Sequence, residues 1–162
     1  MGSQMSVMRV LNRVAVYVAA AILVACSGSP TAPSPPPNIQ GQWTGGYLVT
    51  ACQESGAAIG SGFCQSLGSG SQVILTPQQS GTAITGTLGI GAFSPIPISG
   101  TLDQSVVSLA GSGPIQLGAT FALNQWRGTL SGNTISGSLQ YTITTGAPIG
   151  SATVSGSFTI QK

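Results

Sequence analysis

Between residues 39 and 162 apolar side chains recur at every second position, and no stretch shows the three-to-four-residue spacing of a helix. One short unit returns five times: an apolar residue, a small polar residue or Arg127, glycine, Ser or Thr, then Leu or Phe. It reads Ile84-Thr85-Gly86-Thr87-Leu88, Ile98-Ser99-Gly100-Thr101-Leu102, Trp126-Arg127-Gly128-Thr129-Leu130, Ile135-Ser136-Gly137-Ser138-Leu139 and Val154-Ser155-Gly156-Ser157-Phe158. Positions i, i+2 and i+4 of a strand share a face. Each copy therefore puts apolar, Gly, apolar on one side and hydroxyls on the other. The unit is too short for a solenoid repeat and marks equivalent strands of one sheet.

Turn signals such as Ser80-Gly81, Asp103-Gln104, Gly111-Ser112-Gly113-Pro114, Gly132-Asn133 and Gly146-Ala147-Pro148 separate the strands. They predict strands over about 42–52, 71–78, 82–91, 95–102, 105–111, 115–131, 134–144 and 151–161, the sixth broken or bulged near Asn124. Eight sequential antiparallel strands with short connections predict an all-β fold, an up-and-down barrel. Closure also removes open edges, which a chain with so few charges cannot otherwise protect. A transmembrane barrel competes, but it turns its apolar face outward, whereas here the second face is rich in Ser and Thr and belongs in water.

With the apolar face inside, the interior set is Trp43, Tyr47, Val49, Val73, Leu75, Ile84, Leu88, Ile96, Ile98, Leu102, Val107, Leu109, Leu117, Phe121, Trp126, Leu130, Ile135, Leu139, Tyr141, Val154, Phe158 and Ile160. An eight-stranded barrel is wide enough either to fill with side chains or to hold one small ligand. Inward glycines at 45, 86, 100, 128, 137 and 156 leave space that is either a cavity or filled by neighbouring aromatics. Candidate ligand-lining residues are Trp43, Tyr47, Phe121, Trp126, Tyr141 and Phe158.

The segment before the barrel has a different character. Arg9 and Arg13 precede an uncharged apolar run, Val14–Ala25, of twelve residues. That is short of the roughly 20 needed to span a bilayer and fits the apolar core of a secretory signal. The run ends Leu23-Val24-Ala25-Cys26, followed by Ser27-Gly28-Ser29. This tetrad resembles the lipobox of bacterial lipoproteins. The resemblance implies a signal peptide over 1–25 and a lipid-modified, acylated Cys26 as the mature N-terminus. It further implies a cell-envelope location with the lipid in a membrane, the outer one by the Ser27 that follows; an ordinary signal peptide with a chance cysteine is the alternative. Residues 26–38 form a linker in which Pro30, Pro33, Pro35, Pro36 and Pro37 favour extended polyproline geometry. It reads as a spacer, with a Pro-rich recognition motif as the alternative.

Three cysteines are an odd count for an exported chain. With Cys26 assigned to lipid, Cys52 and Cys64 remain to form a disulfide outside the reducing cytoplasm. Their spacing is too long for a CxxC redox or metal motif.

Charge then narrows the function classes. Only Arg9, Arg13, Glu54, Asp103, Arg127 and Lys162 are ionic, and histidine is absent. There is no basic face for nucleic acid and no His-ligated metal site, and no metal or other cofactor is expected. Glu54 and Asp103 fall in separate turns, so no carboxylate pair forms, and a Ser nucleophile has only terminal Lys162 as a base. The expectation is a protein that is not an enzyme.

The domain opens Gly41-Gln42-Trp43-Thr44-Gly45. This resembles the G-x-W opening of lipocalins and related calycin barrels, in which the Trp closes one barrel end against a basic residue of the last strand. Gly41 and Trp43 match, while the last strand, 151–161, is uncharged and only Lys162 follows it. Avidin-type barrels are similar in outline but have polar inward ligand groups that find no match here. The resemblance implies a lipocalin-like domain on a bacterial lipoprotein. Three functions follow: a carrier of a small apolar ligand, a protease-inhibitor-like or other protein-interaction barrel, and a purely structural surface lipoprotein. An early disulfide fits the inhibitor class in outline, but such inhibitors use a free N-terminal arm, and here that segment is the tether.

Overall fold

A computed structural model describes residues 34–67, 70–146 and 148–162. The signal segment, Cys26 and the linker through residue 33 lie outside the described residues, as do Gly68, Ser69, Ala147 and the side chain of Leu117. Pro35–Lys162 forms one compact unit.

The unit is a closed barrel of eight antiparallel strands, each hydrogen-bonded to its chain neighbours, the first also to the last. The strands are β1 (Trp43–Gly56), β2 (Gly70–Ser80), β3 (Ala83–Ile90), β4 (Ile96–Asp103), β5 (Val106–Pro114), β6 (Thr120–Ser131), β7 (Thr134–Thr144) and β8 (Gly150–Gln161). One helical turn, α1 (Phe63–Ser66), lies in the β1–β2 connection. This is the up-and-down topology that the period-two pattern predicts. Gly81 and Gly132 take the left-handed conformation that their tight turns require, φ 61° and 57°.

Two boundaries differ from the sequence reading. β1 continues to Gly56, four residues past Cys52, because the chain stays paired with β8 as far as Gly56↔Gly150. The long strand expected over 115–131 is split: β5 runs on to Pro114, a 3-10 turn occupies Gln116–Gly118, and β6 begins at Thr120. Leu117 therefore sits in a turn rather than on an inward strand position. The turn closes locally through Ile115 N donating to Ala119 O at 2.8 Å.

Two bulges set which side chains face inward. On β6 the register shifts between Leu123↔Tyr141 and Gln125↔Gln140, leaving Asn124 as the extra residue. Phe121 and Leu123 point in before it, and Trp126 points in after it. On β1 the extra residue is Thr50, between Val49↔Gly156 and Ala51↔Ser155. A side-chain period of two means that one inserted residue reverses the phase. The β1 bulge thereby turns Cys52 and Glu54 toward the inner side, whereas strict alternation from Trp43 would turn them out.

Apart from Leu117, the core holds the predicted inward residues, with Val49 and Leu130 only partly buried against it. Ile39, Ile90, Ala119, Leu123, Ile143 and Ala152 join it as well. No charged residue is buried among those described. The outer wall carries Ser136, Ser138, Gln140, Thr142, Ser155 and Ser157, and the exposed large apolar residues are Leu48, Ile59 and Ile149. A transmembrane barrel requires a continuous apolar outer band, which this wall does not form.

Candidate functional site

Up-and-down topology gives the barrel two ends of different chain content. One receives the incoming chain, the β2–β3, β4–β5 and β6–β7 turns, and the C-terminus. The other carries the β1–β2, β3–β4, β5–β6 and β7–β8 connections.

The first end is sealed by the segment that enters it. Ile39 is wholly buried, and its carbonyl accepts the Trp43 indole N–H at 2.7 Å. Gln79 at the end of β2 clamps the same segment. Its Oε1 accepts from Ile39 N at 2.9 Å, and its Nε2 donates to Pro37 O at 3.0 Å and to Gly81 O at 2.8 Å. Gln40 returns a bond from its Nε2 to Gln79 O at 2.9 Å. The Lys162 ammonium stands 5.9 Å from the centre of the Trp43 ring, within cation–π range. The basic partner that β8 lacks is thus supplied by the residue just past it, held there by Lys162 N donating to Asn133 O at 3.1 Å.

The interior is aromatic from its centre toward the second end. Tyr141 stacks on Phe121 with centroids 4.7 Å apart and meets Tyr47 edge-on at 6.2 Å. Phe93, on the β3–β4 connection and half-buried, reaches Phe121 at 5.9 Å. The Tyr47 and Tyr141 hydroxyls share a buried hydrogen bond of 2.8 Å. Burial, reinforced by that bond and by Tyr47's proximity, pushes the Tyr141 hydroxyl well above its ordinary 10.0, so it stays protonated. Trp126 stacks on Phe158 at 3.7 Å. Its indole N–H is buried and has no hydrogen-bond partner, the sole such side-chain atom among the described residues.

All six candidate ligand-lining residues, Trp43, Tyr47, Phe121, Trp126, Tyr141 and Phe158, are therefore buried inside the barrel. Five form two aromatic groups, Phe121–Tyr141–Tyr47 and Trp126–Phe158, while Trp43 belongs to the seal. The inward glycines leave less room than their lack of side chains suggests. A Cβ on Gly128 would meet Ile135 Cγ2 at 2.7 Å and Phe158 Cζ at 2.8 Å, and one on Gly156 would meet the Leu48 carbonyl at 2.6 Å and Tyr47 Cδ2 at 3.0 Å. At Gly45, Gly86, Gly100 and Gly137 the neighbour is the backbone of the adjacent strand. These glycines let strands coil closely.

The second end is rimmed by apolar side chains. Phe63, Leu67, Phe93 and Ile115 are partly buried against the core, and Ile59 and Ile149 are exposed. The Cys52–Cys64 disulfide, expected from the cysteine count, braces the β1–β2 connection here, with Cα atoms 5.6 Å apart. Glu54 organises the same loop. Its carboxylate accepts from Gly60 N at 2.9 Å, Cys64 N at 3.0 Å and Ser61 Oγ at 3.4 Å. The Cys64 amide is the main cause that holds this carboxyl below its ordinary 4.5. Desolvation opposes it, and the Gly60 amide, the Ser61 hydroxyl and the Phe63 amide add to it. Glu54 is thus committed to backbone. Asp103 ends β4 at the opposite end of the barrel, so the two carboxylates stand apart, as the sequence suggests.

Three surface hollows accompany these features. One of about 250 Å³ lies at the disulfide, lined by Cys52, Glu54, Gly60 and Cys64 among others. Two of about 320 Å³ lie against the wall, one between β2, β3 and Phe93, the other over the β6 bulge beside Asn124 and Arg127. The phase reversal at Thr50, the unpaired Trp126 indole and the Ile39 plug escape a reading based on alternation, because each depends on a neighbour distant in sequence. No family model, curated protein or solved structure matches this chain.

Proposed function

We propose that this chain is a bacterial envelope lipoprotein, acylated at Cys26 and held at the outer membrane, whose lipocalin-like barrel takes up a small apolar molecule. The anchor rests on the lipobox-like Leu23–Cys26 alone, and the observation that carries the binding role is the inequality of the two barrel ends. The entry end is plugged by Ile39, Trp43, Gln79 and Lys162. The far end is rimmed by Phe63, Leu67, Phe93 and Ile115, from which aromatic rings lead inward to Tyr47. A barrel with one closed end, an apolar rim at the other and no buried charge among the described residues suits an uncharged apolar guest. The role is binding and presentation rather than catalysis, since Glu54 is engaged by its own loop.

Native mass spectrometry on the exported chain carrying Cys26→Ser, purified without denaturant, tests the carrier role. A bound mass that vanishes on denaturation is the expected outcome. A clean apo mass, together with no Trp fluorescence response to apolar ligands, sinks it. Metabolic labelling with palmitate tests the anchor: the wild type should take up label and Cys26→Ala should not.

A second reading, a packed barrel that serves as a surface scaffold, draws on Phe158, Ile135 and Tyr47 filling the space at Gly128 and Gly156. The inhibitor reading needs a free arm before the barrel; the chain is fixed at Ile39, which is buried and bonded to Gln79, while residues 34–38 are exposed.

A further inference from the structure

The barrel interior contains hydrogen-bond donors in excess of its acceptors. Trp126 is 1% exposed, and its indole N–H meets no acceptor among the described residues. An indole nitrogen can only donate. The Tyr47–Tyr141 pair has the same imbalance. Two hydroxyls carry two protons, and the bond between them uses one. Neither oxygen makes a further bond to a described side chain or backbone group, so one O–H also lacks an acceptor. Phe158 links these donors. It is paired with Tyr47 across the β1–β8 ladder and stacks on Trp126. Leaving a buried donor unsatisfied is costly, and native interiors pair nearly all such groups with protein, ordered water or a bound molecule.

Building on the carrier role proposed above, we infer that the barrel recognises an apolar molecule bearing a neutral carbonyl, a ketone or ester, whose oxygen accepts from Trp126 Nε1 and from the free Tyr47/Tyr141 hydroxyl. No cation is buried among the described residues to balance a carboxylate, so the ionised acid is disfavoured. An alkane fits the walls but leaves both donors unmet.

The test is a matched series on one alkyl chain: methyl ketone, methyl ester, alkane and free carboxylate, titrated at about pH 8, where the acid is ionised. The protein is the exported chain with Cys26→Ser, labelled with ¹⁵N at the tryptophan indoles. Ketone and ester should bind roughly tenfold more tightly than alkane or carboxylate, as two net hydrogen bonds of ordinary strength imply. The Trp126 indole signal should move on ketone binding while that of Trp43, already bonded to Ile39 O, stays in place. Trp126→Phe should reduce the ketone-to-alkane ratio by about threefold, and Tyr47→Phe combined with Tyr141→Phe, which removes both hydroxyls, by a similar factor. Equal binding of ketone and alkane, or an unmoved Trp126 signal in the ketone complex, overturns this inference and leaves the carrier role standing. Binding of no member of the series overturns both.

Discussion

Gly128 and Gly137 face each other across the β6–β7 pair, and the two tolerate a methyl group differently. At Gly128 an added Cβ presses on the Ile135 methyl and the Phe158 ring, side chains that can shift by a few tenths of an ångström. Gly128→Ala should therefore cost about 1–3 kcal/mol, the usual range for overpacking. At Gly137 the obstacle is the Arg127 carbonyl and the Gly128 Cα, part of the neighbouring strand's backbone. Gly137→Ala should cost more than Gly128→Ala, and urea denaturation of the two variants checks the order. Glu54 yields a pH prediction at the same scale. Its carboxyl is held below the ordinary 4.5, so its stabilising contribution is present above that value and is lost as pH falls through the lower folded value. The protection factors of the Gly60 and Cys64 amides should fall as pH drops through that lower folded value while the strands stay protected. In Glu54→Gln, which cannot ionise, exchange at these amides should lose that acid step.

Among the elements, the β1–β2 connection and the entry segment are each tied down by one device. The disulfide closes a loop with a sequence separation of 12. Reduction should lower stability by about 3 kcal/mol in the chain-entropy account, without opening the barrel, since strand pairing does not depend on it. Urea midpoints with and without reductant measure this. The entry segment depends on Gln79, whose side chain holds Ile39 and Pro37. Gln79→Ala should cost about 1–2 kcal/mol and speed exchange at the Ile39 amide, leaving the rest of the barrel unchanged. The sequence marks both segments only in part. Cysteine arithmetic points to the disulfide, because three thiols leave one pair if Cys26 is the acylated residue that the lipobox resemblance implies. Nothing local marks Gln79, a polar residue near a turn whose role comes from chain forty residues earlier.

For the whole molecule, closure is the governing fact: β8 is paired to β1 over nearly its full length as well as to β7. A chain ending at Thr144 would expose the edges of β1 and β7 and should aggregate on gel filtration, whereas the complete barrel has no edge to extend. The one-dimensional pattern determined the all-β class, the number and order of the strands, most of the inward apolar set, Leu117 excepted, and the Cys52–Cys64 pair. It could do so because alternation, turn residues and cysteine count are local properties of the chain. The bulge at Asn124 was legible as well, since the apolar phase changes between Leu123 and Trp126. Tertiary structure alone decided that Thr50 reverses the phase of β1 toward Cys52 and Glu54. It also decided that Ile39 and Lys162 complete the Trp43 seal, and that Phe158 takes the space beside Gly128. The donor surplus at Trp126, Tyr47 and Tyr141 belongs to the same group. A residue's type states that it can donate a hydrogen bond, but whether an acceptor stands opposite depends on strands brought together only when the barrel closes.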